Sequence, residues 1–403
     1  MAFDVISEAK RCLKCKNPMC KAGCPINTPI PDVIKLFLDG NINEAGELLF
    51  ENNPLSLVCS LICNHENQCE GHCVMNRKEA PVYFSNIENY ISDNYFAKAR
   101  LERKKSNGIK AAVIGSGPAG LTIAILLALK GYDITIFESR DKIGGVLRYG
   151  IPEFRLPKTI LDNYRKQLKS LGIKIRPNVA IGKSVMLDDL FRDGYRAVSI
   201  GTGVWWPNKL KIKGETLGNV HYGIHYLTNP DVYDLGNSVN IIGAGNAAMD
   251  VARTVLRHGT NKVTVFSLTP VAAASHVEVE YAIIDGVDFL YCKKPAEIVD
   301  EGVWFEDVVF DEENQMSVIP DSKAFYPADS TIVSISQGPS NLLLKDGVHV
   351  NNKGLVVTDT RGTTSRDGVF ASGDVVRGAK TVVEAVAYSK QVAEAMDEYM
   401  QKL

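Results

Sequence analysis

Three stretches of the chain share one hydropathy pattern: a short apolar run, a break of small residues, then a longer run with helical spacing. Ile109 to Glu138, IKAAVIGSGPAGLTIAILLALKGYDITIFE, predicts strand, turn, helix and second strand. Val239 to Leu268, VNIIGAGNAAMDVARTVLRHGTNKVTVFSL, repeats that order. Gly368 to Met396 supplies a last strand, a turn at Gly373 and Asp374, and a helix whose first turn begins near Thr381. Residues 1 to 107 carry no such strands. Their spacing predicts helices over Pro31–Asp39, closing on Gly40, over Glu44–Glu51, capped by Asn43, and over Ile87–Ala99. KKSNG, residues 104–108, is a polar linker. Further on, Leu161–Leu171 is expected as a helix ending on Gly172, and Ala197–Ile200 as a strand running into Gly201, Thr202 and Gly203. Ile143 to Lys158, IGGVLRYGIPEFRLPK, holds too many glycines and prolines for regular structure and is expected as a loop close to a ligand. The expected fold class is therefore α/β with an N-terminal α-helical domain and two nested Rossmann-like domains. The boundaries are 1–107, 108–235 for a first nucleotide-binding segment, 236–325 for a second domain inserted in it, and 326–403 for the closing segment.

The glycines say what these folds hold. Gly115, Gly117 and Gly120 complete a dinucleotide fingerprint: the turn is tight, backbone amides can approach a pyrophosphate, and Pro118 sits where its missing N–H costs little. Glu138, at the tip of the next strand, can accept both hydroxyls of an adenosine ribose, which favours FAD or NAD over NADP. A glycine turn alone would mark any tight strand-to-helix connection; the strand, helix and acid in their places make that bland reading weak. In the second repeat Gly243, Gly245 and Ala248 take the glycine positions, but Ser267, Leu268, Thr269 and Pro270 offer neither an acid nor an arginine, so NAD and NADP are not separated. Asp374, between strand and helix, is placed to bond the ribityl chain of a flavin, although alone it would read as a helix cap.

Cysteines set the N-terminal region apart. Eight of the nine lie between Cys12 and Cys73: Cys12, Cys15, Cys20 and Cys24 read C-x2-C-x4-C-x3-C-P, and Cys59, Cys63, Cys69 and Cys73 read C-x3-C-x5-C-x3-C. Two zinc sites are the plain alternative. Four thiols crowded into so short a run favour two 4Fe-4S clusters. His65 and His72 are expected at the surface and Cys292 in a core. The rest of the composition is ordinary: 403 residues, 45% hydrophobic and 23% charged, as in a soluble enzyme of two or three domains. The net charge of −2 gives no reason to expect nucleic acid or an anionic membrane as partner. The N-terminus has no apolar signal region and no run spans a bilayer, so the expected compartment is the cytoplasm with thiols reduced.

Taken together, RCLKCKNPMCKAGCP, VCSLICNHENQCEGHC, GSGPAG, GGVLRYGIPEFRLPK, GAGNAAMDVAR and GVFASGDVVRGAKTVVEA resemble, in order and spacing, the family of the glutamate synthase small subunit and the N-terminal half of dihydropyrimidine dehydrogenase. The resemblance covers nearly the whole chain. It implies that Cys12, Cys15, Cys20 and Cys73 hold one 4Fe-4S cluster, and that Cys24, Cys63, Cys69 and Glu88 hold the other, with Cys59 spare. It also implies an FAD site of Gly115, Gly117, Pro118, Ala119, Gly120, Glu138, Gly145, Arg148, Ile151, Thr202, Gly203, Gly373, Asp374, Thr381 and Val382, and an NAD(P) site of Gly243, Gly245, Asn246, Ala247 and Ser267. No side chain is assigned a catalytic role, because the flavin ring itself performs hydride transfer. Where NADPH-using relatives carry arginines, this chain has Ser267 and Leu268, which tilts the reading toward NADH. The implied function is an electron-input oxidoreductase subunit, passing electrons from NAD(P)H through FAD and the clusters to a catalytic partner subunit in a hetero-oligomer. The competing readings are a free-standing NAD(P)H:ferredoxin-type oxidoreductase with a ferredoxin-like acceptor, and a zinc-bound assembly module on a flavoprotein.

Overall fold

A computed structural model describes residues 4–98, 101–340 and 346–403. They form two compact units, Met1–Arg148 with Glu153–Val204 and Pro339–Leu403, and Tyr149–Pro152 with Trp205–Gly338.

The first unit opens with helices. In Ile30–Leu38, Ile30, Val33 and Ile34 lie on one face and meet Ala45 and Leu49 of the helix Ile42–Asn52 and Ile87 and Ile91 of the helix Phe84–Lys98. The cap of the second helix is Asn41, not Asn43. Gly40, at φ +84°, ends the first helix, and Asn41 N–H turns back to the Leu36 carbonyl at 2.9 Å, so the next helix starts at once. The helix expected to reach Ala99 is described to Lys98; Ala99 lies outside the described residues.

A parallel sheet follows, with strands in the order Val369–Ala371, Tyr195–Ile200, Lys110–Ile114, Asp133–Phe137 and Lys174–Arg176. Lys110–Ile114 is buried beyond its first residue, as a strand covered on both faces must be. The helix Pro118–Leu129 is apolar nearly all round because it lies between the sheet and the C-terminal helix Val382–Met400. From the central strand the chain goes to one side for Asp133–Phe137 and to the other for Tyr195–Ile200. That reversal makes the carboxyl end of Lys110–Ile114 a switch point, where open α/β sheets bind ligands. The 143–158 segment is not all loop: Val146–Tyr149 forms one helical turn, since both glycines and all three prolines or glycines beyond it leave those four residues free to coil.

Helical part and sheet meet inside this unit. Tyr164 donates its hydroxyl to the Pro54 carbonyl at 2.9 Å, Lys390 Nζ donates to the Asn52 carbonyl at 2.6 Å, and the Phe96 and Tyr164 rings stand 4.4 Å apart.

The second unit is another parallel sheet, ordered Val220–Tyr222, Ser330–Val333, Ser238–Ile242, Lys262–Phe266 and Asp288–Leu290, with antiparallel strands between Lys293 and Pro327. It is wider than the expected 236–325, because Val220–Tyr222 pairs outside Ser330–Val333 and draws the preceding segment into this unit. Among the described residues no helix is long and apolar enough to cross a membrane.

Candidate cofactor and cluster sites

Loops from four strands gather at the switch point of the first sheet. Gly115, at φ +93°, has no room for a side chain: a Cβ would stand 2.5 Å from the Gly201 carbonyl oxygen. A Cβ on Gly120 would reach the Gly115 carbonyl at 2.0 Å, so its absence lets the helix Pro118–Leu129 close onto the strand. Gly117 differs: a Cβ there meets nothing nearer than Gly145 Cα at 3.9 Å. Protein packing does not demand that glycine; open space beside the amides does, and a pyrophosphate fits it. Gly145 lies against Gly117, held by Gly144 N–H bonded to the Ser116 carbonyl at 3.0 Å, and Gly373 approaches Ala119. Thr202 and Gly203 follow the neighbouring strand.

Glu138 is buried, and its carboxylate accepts Ser116 N–H at 2.9 Å on one oxygen and Arg140 N–H at 2.9 Å on the other. It is thereby aimed at the glycine turn. Asp374 opens a short helical turn whose N-cap is Gly373, so it is not a cap; Lys380 N–H reaches it at 3.3 Å and burial pushes its carboxyl up to about 7. Thr381 caps Val382–Met400 in a reciprocal box with Glu384, which leaves Val382 in the first turn. Arg148 bonds the Ile143 carbonyl and Asp162, at 2.8 and 2.6 Å. Ile151 falls in the second unit.

The second unit repeats the cradle. A Cβ on Gly243, at φ +116°, would lie 2.3 Å from the Ser334 carbonyl, whereas one on Gly245 meets nothing within 4 Å. Asn246 and Ala247 are exposed at the start of Asn246–Arg257, and Asn246 Oδ1 accepts Ser275 N–H at 2.9 Å. Ser267 is buried, its hydroxyl 3.1 Å from that of Thr269.

The thiols separate into two sets. Cys12, Cys15, Cys20 and Cys73 line one apolar pocket, with Cys69 on its wall and Met19, Ile34 and Phe84 around it. A long-range clip brings Cys73 to the first three. Glu8 accepts Arg11 at 2.6 Å and Tyr83 N–H at 2.8 Å, while Arg11 also donates to the Pro81 carbonyl. Burial raises the Cys12 thiol and pushes Cys20 up to about 11, with the neighbouring cysteines adding to both. The second set surrounds Glu88, which is 6% exposed. Burial holds its carboxyl well above the usual range, with Cys59 and Glu70 adding. Cys69 is raised by burial and by Glu88, Glu70 and Cys24. Cys59 and Cys63 share a hydrogen bond, which with burial raises Cys63, and Cys24 Sγ lies 3.3 Å from the Thr28 hydroxyl. Buried thiols of this kind ionise when metal replaces their protons, so soft, multi-thiolate chemistry suits both sets.

Among the described residues no three His, Cys, Asp or Glu side chains converge on a single-ion site. His65 is not at the surface as expected: burial pushes its imidazole down to about 4 and its Nε2 is buried without a partner. His72 is exposed, with its ring against Gly23. All nine cysteines are free, and Cys292 is partly buried in the second unit.

Residues 2–100 match the family described as dihydropyrimidine dehydrogenase domain II, 4Fe-4S cluster, and residues 100–389 match the pyridine nucleotide-disulphide oxidoreductase family. The glutamate synthase [NADPH] small chain of Halomonas elongata is 32% identical over 98% of this chain and 91% of its own length. The NAD-dependent dihydropyrimidine dehydrogenase subunit PreT of Escherichia coli O157:H7 is 31% identical over 98% of this chain and 94% of its own length. Among solved structures, Mycobacterium tuberculosis FprA in complex with NADPH shares the fold, with TM-score 0.62 over 73% of this chain and 85% of that one at 16% identity.

Proposed function

From the premise that this chain belongs to the pyridine nucleotide-disulphide oxidoreductase family, fused to an iron-sulfur domain, we propose that it is the electron-input subunit of a larger reductase or synthase. Bound FAD would supply hydride acceptance from NAD(P)H, and bound iron-sulfur clusters would supply one-electron transfer onward. The observation that carries the reading is the packing of one flavin cradle and two half-buried thiol sets into a single unit, bridged by Tyr164, Lys390 and Phe96.

The chain's own residues bind and orient. Gly115, Gly117, Pro118, Ala119 and Gly120 present a helix end to a pyrophosphate, and Glu138 waits for a ribose. Asp374, Thr381 and Val382 would hold the flavin's chain and ring; Arg148 fixes the 143–148 turn beside Gly145. FAD thus belongs to the segments 108–235 and 326–403 as amended by the second unit's wider bounds, and the nicotinamide dinucleotide to Gly243, Gly245, Asn246 and Ala247. No Lys or Arg occurs between Lys262 and Lys293, so a 2′-phosphate finds no cation there, which supports NADH.

For the clusters, Cys12, Cys15, Cys20 and Cys73 form one ligand set, and Cys24, Cys63, Cys69 and Glu88 the other. Their grouping around the first pocket and around Glu88 supports this. The test is anaerobic purification from the native source, with iron, sulfide and FAD counted and copurifying chains identified. About eight irons per chain and a stable second subunit is the expected result. The same cofactors with no copurifying partner would replace the subunit by a free-standing oxidoreductase; zinc without iron would end the electron path.

A further inference from the structure

The first thiol set carries an outer surface that ligation leaves unused. Five of the twelve residues from 10 to 21 are Lys or Arg and none is acidic, in a chain of net charge −2. Lys10, Lys14, Lys16 and Lys21 are exposed, and Arg77 and Lys78, just beyond Cys73, are exposed as well. Of the carboxylates near in sequence, Asp4 is engaged by Ser7 and Ile6 N–H and Glu8 by Arg11 and Tyr83 N–H, which leaves Glu79, beside Lys78, as the exposed acid of this stretch against Lys10, Lys14, Lys16, Lys21, Arg77 and Lys78. Among these cations in sequence, Leu13 is 63% exposed and Met19 45% exposed. Both line the same pocket as Cys12, Cys15, Cys20 and Cys73. Exposed apolar side chains among like charges, on the wall of the pocket lined by the first thiol set, suit a short-lived protein contact: the charge raises the encounter rate and the apolar spot excludes water.

We propose that this face docks the acidic surface of an electron-carrier protein and is where electrons leave the chain. The proposal rests on the electron-input reading and adds the place and the chemistry of the exit. One electron passes from the reduced first cluster to the oxidised centre of the acceptor, with NAD(P)H as the source; no bond is made or broken and no proton crosses the contact. Charge complementarity selects the occupant. A nucleic acid would find no aromatic side chain among residues 10 to 21 for its bases, and a membrane would find Leu13 and Met19, with Met19 on a helical turn of four residues, Met19–Ala22.

The experiment uses anaerobically purified holoprotein and two acceptors, an acidic ferredoxin and a basic c-type cytochrome. It compares wild type with Lys16→Glu/Lys21→Glu and with the neutral Lys16→Gln/Lys21→Gln. Cluster content and reduction of the bound flavin by NAD(P)H are recorded for each as controls on folding. The expected result is that the charge reversal lowers the second-order rate with ferredoxin by about tenfold at low salt, the neutral pair falls between, and added salt lowers the wild-type rate toward that of the variant. The cytochrome rate should not fall. Binding of oxidised ferredoxin, measured directly by calorimetry, should weaken in the same order, and this holds whether or not electrons flow. Equal ferredoxin binding and rate in all three proteins would overturn the docking face while leaving the electron-input reading intact. Clusters that NAD(P)H cannot reduce, with ferredoxin binding still lost in the variant, would instead overturn the input reading and leave the face standing. Binding of duplex DNA or anionic vesicles in preference to ferredoxin would overturn the choice of occupant.

Discussion

Burial pushes the Asp374 carboxyl up to about 7, so the folded, FAD-free chain holds a proton there that the unfolded chain releases near the ordinary aspartate value of 3.8. A raised folded pKa gives stability that is fully present below the unfolded pKa and is lost as pH rises through the folded one. The FAD-free protein should therefore weaken between about pH 4 and pH 7, by about 4 kcal/mol from this group alone. Asp374→Asn removes the ionisation, so its FAD-free form should unfold at a higher temperature than wild type at pH 8 and at nearly the same temperature at pH 4, while binding FAD more weakly. Coincident melting curves at pH 8 would show that the carboxyl is not buried in this way. The second residue-scale prediction separates Cys59 from Glu88. Cys59→Ala should retain both clusters, and Glu88→Ala should lose or convert the second, read by iron content and electron paramagnetic resonance; the reverse would exchange their roles. Spacing alone groups the cysteines as two runs of four. The structure sets Cys73 beside Cys12, Cys15 and Cys20 through the Arg11–Glu8–Tyr83 clip. A contact between residues so far apart in sequence leaves no local signature, and for the same reason the burial of His65 was not legible.

At the scale of elements, Asn246–Arg257 was readable by its helical period, whereas Pro118–Leu129, apolar nearly all round, was readable by its length and by the glycines and Pro118 at its start. The turn residues carry two kinds of information that the sequence presents alike. Gly120 is required by packing, since a Cβ would stand 2.0 Å from the Gly115 carbonyl; Gly245 is not, since a Cβ there meets nothing within 4 Å. Gly120→Ala should accordingly cost about 3 kcal/mol in chemical denaturation, as overpacking against backbone does. Gly245→Ala should stay within about 0.5 kcal/mol of wild type yet raise the Kd for NAD(P)H. Equal stability losses at the two sites would mean that both glycines serve the fold. Among the elements that escaped the sequence pattern, two did so for reasons of length: Val146–Tyr149 is a single turn among glycines, and Val220–Tyr222 is a three-residue strand whose partner lies over a hundred residues away in sequence.

For the molecule, the decisive question is how firmly the cysteine helices are held to the flavin cradle, because an electron path is only as constant as the distance it crosses. The join is small and specific. Asn52 and Pro54, at the end of one cysteine-region helix, offer carbonyls to Lys390 and Tyr164, on the two helices that flank the first sheet, and Phe96 packs on the Tyr164 ring. Tyr164 is fully buried, so its loss removes both a hydrogen bond and ring packing, whereas Tyr164→Phe removes the bond alone. Tyr164→Phe should cost about 1–2 kcal/mol by leaving the Pro54 carbonyl unpaired. Tyr164→Ala combined with Lys390→Met should do more than destabilise: it should divide one transition into two. In wild type, cluster absorbance and flavin release are expected to change together on heating under anaerobic conditions, as parts of one cooperative unit. In the double variant the cluster signal should fall first, with flavin retained to a higher temperature, and stopped-flow reduction of the clusters by NAD(P)H should slow while flavin reduction keeps its rate. If both signals still fall together and the clusters are reduced as fast as before, the contacts at residues 52 to 54 do not set the flavin-to-cluster distance, and the helical region must be held by the packing around Phe50 and Phe96 instead.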